Sequence, residues 1–299
     1  MRFSIIIPTL NRRSMLADAL ASVSAQGEED VEIIVVDGGS DDGTPEMLQS
    51  RRDVLLIDDR RRGLYDALNL GIERASGDII GLLNSDDLYA PGAFAAVRRA
   101  FEKEPQAGAV CGRAELFDAS QVVKRYDDPR DLCLDAHSAL VGASIINARF
   151  FRRDVMQSNG VFATDYHFVA DREFLTRMLI RGLRTVAIET LVYRYRRHPG
   201  SLTFAEGADR TEPLRMELLR LARAVASHRS AKPAICRKAI ALEGRCLARI
   251  ALERARIRDW RGVTEILTDG EDCLTRSPLL SVGFGLIDRM MMRRRGLRG

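Results

Sequence analysis

Short apolar runs alternate with stretches of helical period through the first third of the chain. Residues 3–8, 31–37, 54–57 and 79–83 are too short for helices, are rich in Ile, Val and Leu, and read as buried strands. Between the first two, Met15, Leu16, Ala19, Leu20 and Val23 recur at helical spacing from Asn11 to Gln26, making a strand–helix–strand unit. A short helical stretch precedes the third run, and residues 64–75 read as a helix before the fourth. Four strands alternating with helices predict an α/β fold built on a mostly parallel sheet flanked by helices. In open sheets of this kind ligands bind outside the carboxyl ends of the strands, so the strand tips are the place to look for chemistry.

Farther along, residues 91–104 carry Phe94, Val97 and Phe101 at the spacing of an amphipathic helix. Residues 109–117 and 121–126 predict two strands around Asp118-Ala119-Ser120, where a first half of the domain hands over to a second. A helix starting at about Val169 places Asp171, Phe174, Leu175 and Met178 on one face, and residues 192–196 read as a strand running into a turn at Pro199-Gly200. After about residue 205 strand signals stop. Leu214, Leu218, Leu221, Ala222 and Val225 form one helical stripe, Ile235, Ala239, Leu242, Cys246 and Ile250 a second, and Trp260, Val263, Ile266 and Leu267 a third. The expected organisation is therefore a sheet-containing domain over 1–205, in halves of about 1–105 and 106–205, followed by an α-helical extension over 206–299.

Composition adds three constraints. With 299 residues and 46% hydrophobic positions the chain has ample material for a core. Five cysteines without CxxC spacing point away from a disulfide framework or a zinc site and toward a reducing cytoplasm. The net charge is +4, yet residues 206–299 hold 20 Lys and Arg against 12 Asp and Glu, so the basic excess is C-terminal. No signal-peptide core precedes Pro8, and no run reaches the roughly 20 apolar residues of a membrane span. The last segment, 279–299, is apolar and then arginine-rich, a pattern suited to lying on an anionic membrane surface as well as to docking on the protein itself.

The strand tips carry Pro8-Thr9-Leu10-Asn11, then residues 37–44, then Asp58-Asp59, then Asn84-Ser85-Asp86-Asp87. Adjacent carboxylates at the end of a buried strand repel each other and are costly to desolvate unless a cation neutralises them. Oxygen ligands favour Mg or Mn, which leave positions for water and substrate phosphates. Gly38 and Gly39 let backbone approach a ligand closely. No GxGxxG follows the first strand and no P-loop lysine is present, so neither a dinucleotide fold nor a P-loop is indicated.

Taken together, Pro8-Thr9-Leu10-Asn11-Arg12, residues 37–44, residues 63–71, Gly77-Asp78 and Asn84-Ser85-Asp86-Asp87 resemble glycosyltransferase family 2, whose members have the GT-A fold. Residues 145–153 and 160–177 extend the resemblance, including an acidic residue six positions before an arginine. The resemblance implies an inverting transferase acting in bacterial cell-surface polysaccharide synthesis. It would move a sugar from a nucleoside-diphosphate donor, by default a UDP-sugar, to a hydroxyl of a glycan or lipid-linked acceptor. It implies donor-binding roles for Pro8, Thr9, Asn11, Asp37, Gly39, Asp66, Asn69, Asn84 and Asp86, with Asp37 at the nucleobase and Asp86 near the ribose. It implies a Mg or Mn ion at Asp87, with Asp86 and His198 beside it, diphosphate or acceptor contacts from Arg149, Arg197 and His198, and Asp171 as the general base. Relatives often carry an acidic residue just before Gly63, where this chain has three arginines; Arg62 is expected to grip phosphate or to form a solvated loop tip.

Two other readings use the same residues. A metal-dependent nucleotidyltransferase also places nucleotide and cation at the tips of a parallel sheet, and a noncatalytic sugar-binding or scaffold protein would keep the fold without turnover. No nucleic-acid partner is expected. The place expected is the cytoplasm, at the inner face of the plasma membrane, through 279–299.

Overall fold

The computed structural model describes residues 1–59, 63–119, 121–201 and 211–269. The chain divides into two compact units, Met1–Gly207 and Ala208–Gly299.

In the first unit the elements run β1 (Phe3–Thr9), α1 (Arg13–Ser24), β2 (Val31–Asp37), α2 (Thr44–Gln49), β3 (Val54–Asp58), α3 (Leu64–Arg74) and β4 (Ile79–Leu82). They continue with β5 (Leu88–Tyr89), α4 (Ala93–Lys103), β6 (Ala109–Phe117), β7 (Val122–Tyr126), α5 (Pro129–Leu132), α6 (Ala136–Leu140), β8 (Arg149–Arg152), α7 (Arg153–Asn159), α8 (Ala170–Ile180) and β9 (Thr185–Arg196). One sheet holds them in the order β3-β2-β1-β4-β8-β6-β9-β5, with β7 added to β6. As expected, β3, β2, β1 and β4 pair in parallel, and the register sets Thr9 beside Asp37 and Asp37 beside Asp58, so three tips end level.

β1 is buried at every position, as a strand covered on both faces must be. Phe3, Ile5 and Ile7 join Leu16, Ala19, Leu20 and Val23 of α1 in one cluster with Phe94 and Phe150. Phe3 and Phe94 stack at 4.8 Å between ring centroids. On the opposite face α3 lies so close to β1 that a Cβ on Gly71 would collide with Cγ2 of Ile6.

The second half of the sheet departs from the expectation. β8, unanticipated, inserts antiparallel between β4 and β6. Its sequence, Arg149-Phe150-Phe151-Arg152, has only two apolar residues and no readable period. β9 begins at Thr185 and runs 12 residues, parallel to β6. The hairpin of β6 and β7 is present, but β6 is an interior strand and β7 pairs only with its last residues.

In the second unit α9 (Thr211–Ala226), α10 (Pro233–Arg256) and α11 (Trp260–Asp269) pack with α10 against both others. The buried stripe of α9 is Leu219, Leu221, Ala222 and Val225 rather than one beginning at Leu214, which is 36% exposed. Trp260 is likewise 39% exposed. A buried Glu243 on α10 pairs with Arg223 of α9 at 2.9 Å. Among the described residues no helix is long and apolar enough to cross a membrane; residues 279–299, expected at a membrane surface, lie outside them.

Candidate functional site

The tips of β1, β2 and β4 open onto a cleft of about 650 Å³. Pro8, Thr9, Arg12, Gly38, Asn84, Asp86, Ser144, Asn147, Phe168, Asp171, Arg172 and Arg196 are among its lining residues. The volume falls in the range of small-molecule sites. Sequence-expected groups 84 positions apart, Asp87 and Asp171, thus line one cavity.

Asp87, 3% exposed, is held by the fold on both carboxylate oxygens. Oδ1 accepts the Arg196 backbone N–H at 2.8 Å, and Oδ2 accepts the Tyr193 hydroxyl at 2.8 Å and Asn84 Nδ2 at 3.0 Å. Burial, reinforced by the neighbouring Asp86 charge, pushes the Asp87 carboxyl up to about 7 despite those hydrogen bonds. Tyr193 is itself buried, and its hydroxyl accepts from Asn84 N at 3.1 Å and Asn147 Nδ2 at 3.2 Å.

Asp86 is the more open carboxylate. Its Oδ2 lies 3.0 Å from His198 Nε2 and 3.8 Å from Arg12 Nη1. Gly200 N–H donates to His198 Nδ1 at 3.2 Å, and His198 Nε2 faces both Asp86 Oδ2 at 3.0 Å and Arg12 Nη1 at 3.2 Å. Arg12 Nη2 donates to the Gly200 carbonyl at 2.6 Å, tying the end of β1 to the turn after β9. Arg196 completes this wall, its Nε on the Asp86 carbonyl at 3.0 Å and Nη2 on Asp18 at 2.9 Å.

On the facing wall α8 starts just past Val169, one residue later than its expected start, and buries Phe174, Leu175 and Met178. Asp171 lies in its first turn. Oδ2 accepts the Ser144 hydroxyl, and Oδ1 accepts the Arg172 backbone N–H at 2.8 Å. Glu173, the other acidic group of that turn, is bound by Arg177 through two hydrogen bonds, at 3.0 and 2.8 Å, leaving Asp171 as the turn's carboxylate in the cleft.

Several expected residues serve as architecture. Asp37, 5% exposed, accepts from Gly39 N, Ser40 N and the Ser40 hydroxyl, closing the loop after β2, and Gly39 takes φ +87° within it. Asn11, also at positive φ, donates its N–H to Ser40 Oγ and accepts Asp41 N–H, welding two tips together. Asn69 grips the Phe162 backbone with both ends of its amide, at 2.9 and 2.8 Å. Asp66 and Asn69 line a separate hollow of about 300 Å³ with Asp59 and Glu73.

Arg149 is 1% exposed, and its guanidinium is committed to the carbonyls of Leu132 and Asp131; it is not among the residues lining the cleft, because β8 carries it into the sheet interior. Arg197 points to Asp118 at 2.7 Å, and it is Arg196 that lines the cleft. Arg62 lies outside the described residues.

Ser144, Phe168, Arg172 and Tyr193 line or support the cleft without having been singled out from sequence. Arg12 carried a signal, as the last residue of the first tip motif. Among the described residues no three His, Cys, Asp or Glu side chains converge into a self-sufficient metal cage.

Residues 4–178 match the family model described as Glycosyl transferase family 2. A PGL/p-HBAD biosynthesis glycosyltransferase of Mycobacterium bovis is 30% identical over 201 residues, covering 64% of this chain and 73% of its own. The uncharacterized glycosyltransferase EpsJ of Bacillus subtilis is 26% identical over 220 residues, 67% of this chain and 62% of its own. In fold the chain is similar to Staphylococcus aureus TarS 1–349 in complex with UDP-GlcNAc, with TM-score 0.62, 16% identity, and 89% of this chain and 90% of that one covered. It is also similar to the mannosyltransferase PcManGT from Pyrobaculum calidifontis in complex with GDP-Man and Mn2+, with TM-score 0.58, 18% identity, and 95% and 85% covered.

Proposed function

Because the chain belongs to glycosyl transferase family 2, we propose that it transfers a sugar from a nucleoside-diphosphate donor to an acceptor hydroxyl by a single displacement, with inversion at the anomeric carbon. The observation that carries this reading is the cleft itself, with Asp86 and Asp87 on the wall built by the β4 tip and Asp171 on the wall built by α8. A direct displacement needs a base on the acceptor side and charge compensation on the leaving-group side of the reacting carbon.

Asp171 takes the proton of the acceptor hydroxyl as its oxygen bonds to the anomeric carbon, and the bond from that carbon to the diphosphate breaks, releasing nucleoside diphosphate. Ser144 holds the Asp171 carboxylate in place through Oδ2. Thr9, whose buried Oγ1 has no partner among the described residues, and Gly38 offer the donor nucleotide polar and close backbone contact. Arg12 and Arg196 supply positive charge beside Asp86. In this scheme residues 1–105 hold the donor and 106–205 the acceptor.

The residues fit a Mg or Mn ion of the kind that binds through few protein ligands and completes its shell with phosphate oxygens and water. Two adjacent carboxylates, one of them pushed up to about 7, leave negative charge for a cation to offset. Asp86 would hold it, with the His198 ring beside that carboxylate, while Asp87 supports from behind through its bonds to the backbone and Tyr193. Such an ion would neutralise charge on the diphosphate.

A panel of nucleotide sugars incubated with Mn or Mg and a set of glycan acceptors tests the reading. Nucleoside diphosphate appearing with a glycosylated product is expected. Release of pyrophosphate instead would establish nucleotidyl transfer, and absence of nucleotide binding by calorimetry would leave a noncatalytic protein.

A further inference from the structure

Among the described residues, one cation in the cleft has no carboxylate counterpart. Arg172 lines it in the first turn of α8, next to Asp171. Its Nη2 donates to the Gly142 carbonyl at 2.7 Å, and its Nη1 is buried without a hydrogen-bond partner among the described residues. The neighbouring carboxylates are occupied elsewhere: Asp171 by Ser144 and by the Arg172 backbone, Glu173 by Arg177. The other cleft arginines are compensated, Arg12 by Asp86 and Arg196 by Asp18. A guanidinium keeps its charge at every working pH, and a buried charged donor lacking an acceptor is costly, so the position calls for an anionic oxygen that no described residue supplies.

We propose that Arg172 recognises the acceptor, its Nη1 binding an anionic oxygen that the acceptor carries close to the hydroxyl deprotonated by Asp171. This rests on the glycosyl-transfer reading above. In an inverting displacement the base and the departing diphosphate lie on opposite sides of the anomeric carbon, so an anion held one residue from the base belongs to the acceptor and not to the donor's diphosphate. Phe168, 38% exposed and lining the same cleft, offers an apolar ring on which a sugar unit can rest. The acceptor class is therefore an anionic glycan unit, bearing a phosphate ester or a carboxylate. A planar guanidinium anchored at one end by Gly142 presents a directed donor to either group.

The test is calorimetric titration of a matched set, an alkyl glucoside, its 6-phosphate and the corresponding alkyl glucuronide, into the full-length protein, Arg172→Gln and Arg172→Lys. Thermal unfolding of both variants checks that they are folded. Wild type should bind one charged member about 10- to 100-fold more tightly than the neutral one, the size of a charge-assisted hydrogen bond. The preference should vanish in Arg172→Gln and return in part in Arg172→Lys. The phosphate and carboxylate arms identify the anion. Equal binding of all three probes to wild type, no binding of any, or a preference that survives Arg172→Gln overturns the proposal. Uridine diphosphate titrated into wild type in parallel reports on the underlying reading; if it fails to bind while the anion preference holds, glycosyl transfer falls and the Arg172 site stands.

Discussion

Removing a single buried oxygen, that of Tyr193, tests how firmly the acidic tip of β4 is built. The Tyr193 hydroxyl donates to Asp87 at 2.8 Å and accepts from Asn84 N and Asn147 Nδ2 at 3.1 and 3.2 Å, at a residue with no exposed surface. Tyr193→Phe keeps the ring, and with it the packing on Tyr89 at 5.7 Å and Tyr195 at 4.6 Å, so the change isolates the hydrogen bonds. Two donors lose their acceptor, at about 1 kcal/mol each from the low end of the cost of an orphaned buried group, and the bond to a carboxylate adds about 1 kcal/mol more. The expected loss is about 3 kcal/mol. Urea unfolding followed by tryptophan-independent far-UV circular dichroism measures it, as a lower midpoint at unchanged slope. A loss below about 0.5 kcal/mol, the scatter of ordinary surface substitutions, would show that the hydroxyl is not locked into this network. The same variant removes a hydrogen bond that favours ionised Asp87, so cation affinity should weaken as well.

Asp171→Asn should retain nucleotide binding by calorimetry while transfer falls by about 100- to 10,000-fold, the usual contribution of a general base; near-normal turnover removes Asp171 from that role. Gly71→Ala should cost about 1–3 kcal/mol in urea unfolding, because the added methyl meets Ile6 Cγ2 and lifts α3 from β1. Burial raises the Glu32 carboxyl, but hydrogen bonds from Ser4 and Ser76 and the charge of Arg2 outweigh it and hold the group below its ordinary value of 4.5. The stability it contributes is complete above that value and is lost as pH falls through the lower folded value. Glu32→Gln should therefore flatten the acid side of the stability profile, and an unchanged profile refutes this. Chelation should abolish the thermal stabilisation given by Mn with uridine diphosphate, and Asp86→Asn should mimic chelation.

The parallel half of the sheet was legible because each strand is a compact apolar run ended by turn chemistry, and burial on both faces makes such runs continuous. β8 was not, since Arg149 to Arg152 offer two phenylalanines between arginines, and only pairing with β4 and β6, distant in sequence, makes a strand of them. The first residues of β9 were missed for the same reason: they are half-exposed, and their partner is β6. At the site Asp86 and Asp87 were legible as adjacent carboxylates at a strand tip, and Asp171 through the family resemblance. What each one touches was not, because Asp86 meets His198 112 positions away and Asp87 meets Tyr193 106 positions away. Arg149 shows the limit most plainly. Its place in a motif suggested ligand contact, whereas two main-chain carbonyls that sequence cannot position claim its guanidinium.

Asn69 sets the spacing of the machine. Its amide clasps the main chain of Phe162 from both sides, in the manner of one strand residue pairing with another, and joins α3 to the segment that leads into α8. The two jaws are thereby buckled together on one side, so the aperture between them is a fixed gauge there. Any opening of the cleft must pivot on that buckle, and shortening Asn69 to Ser would turn a calibrated gap into a loose one without touching a residue that lines the cleft.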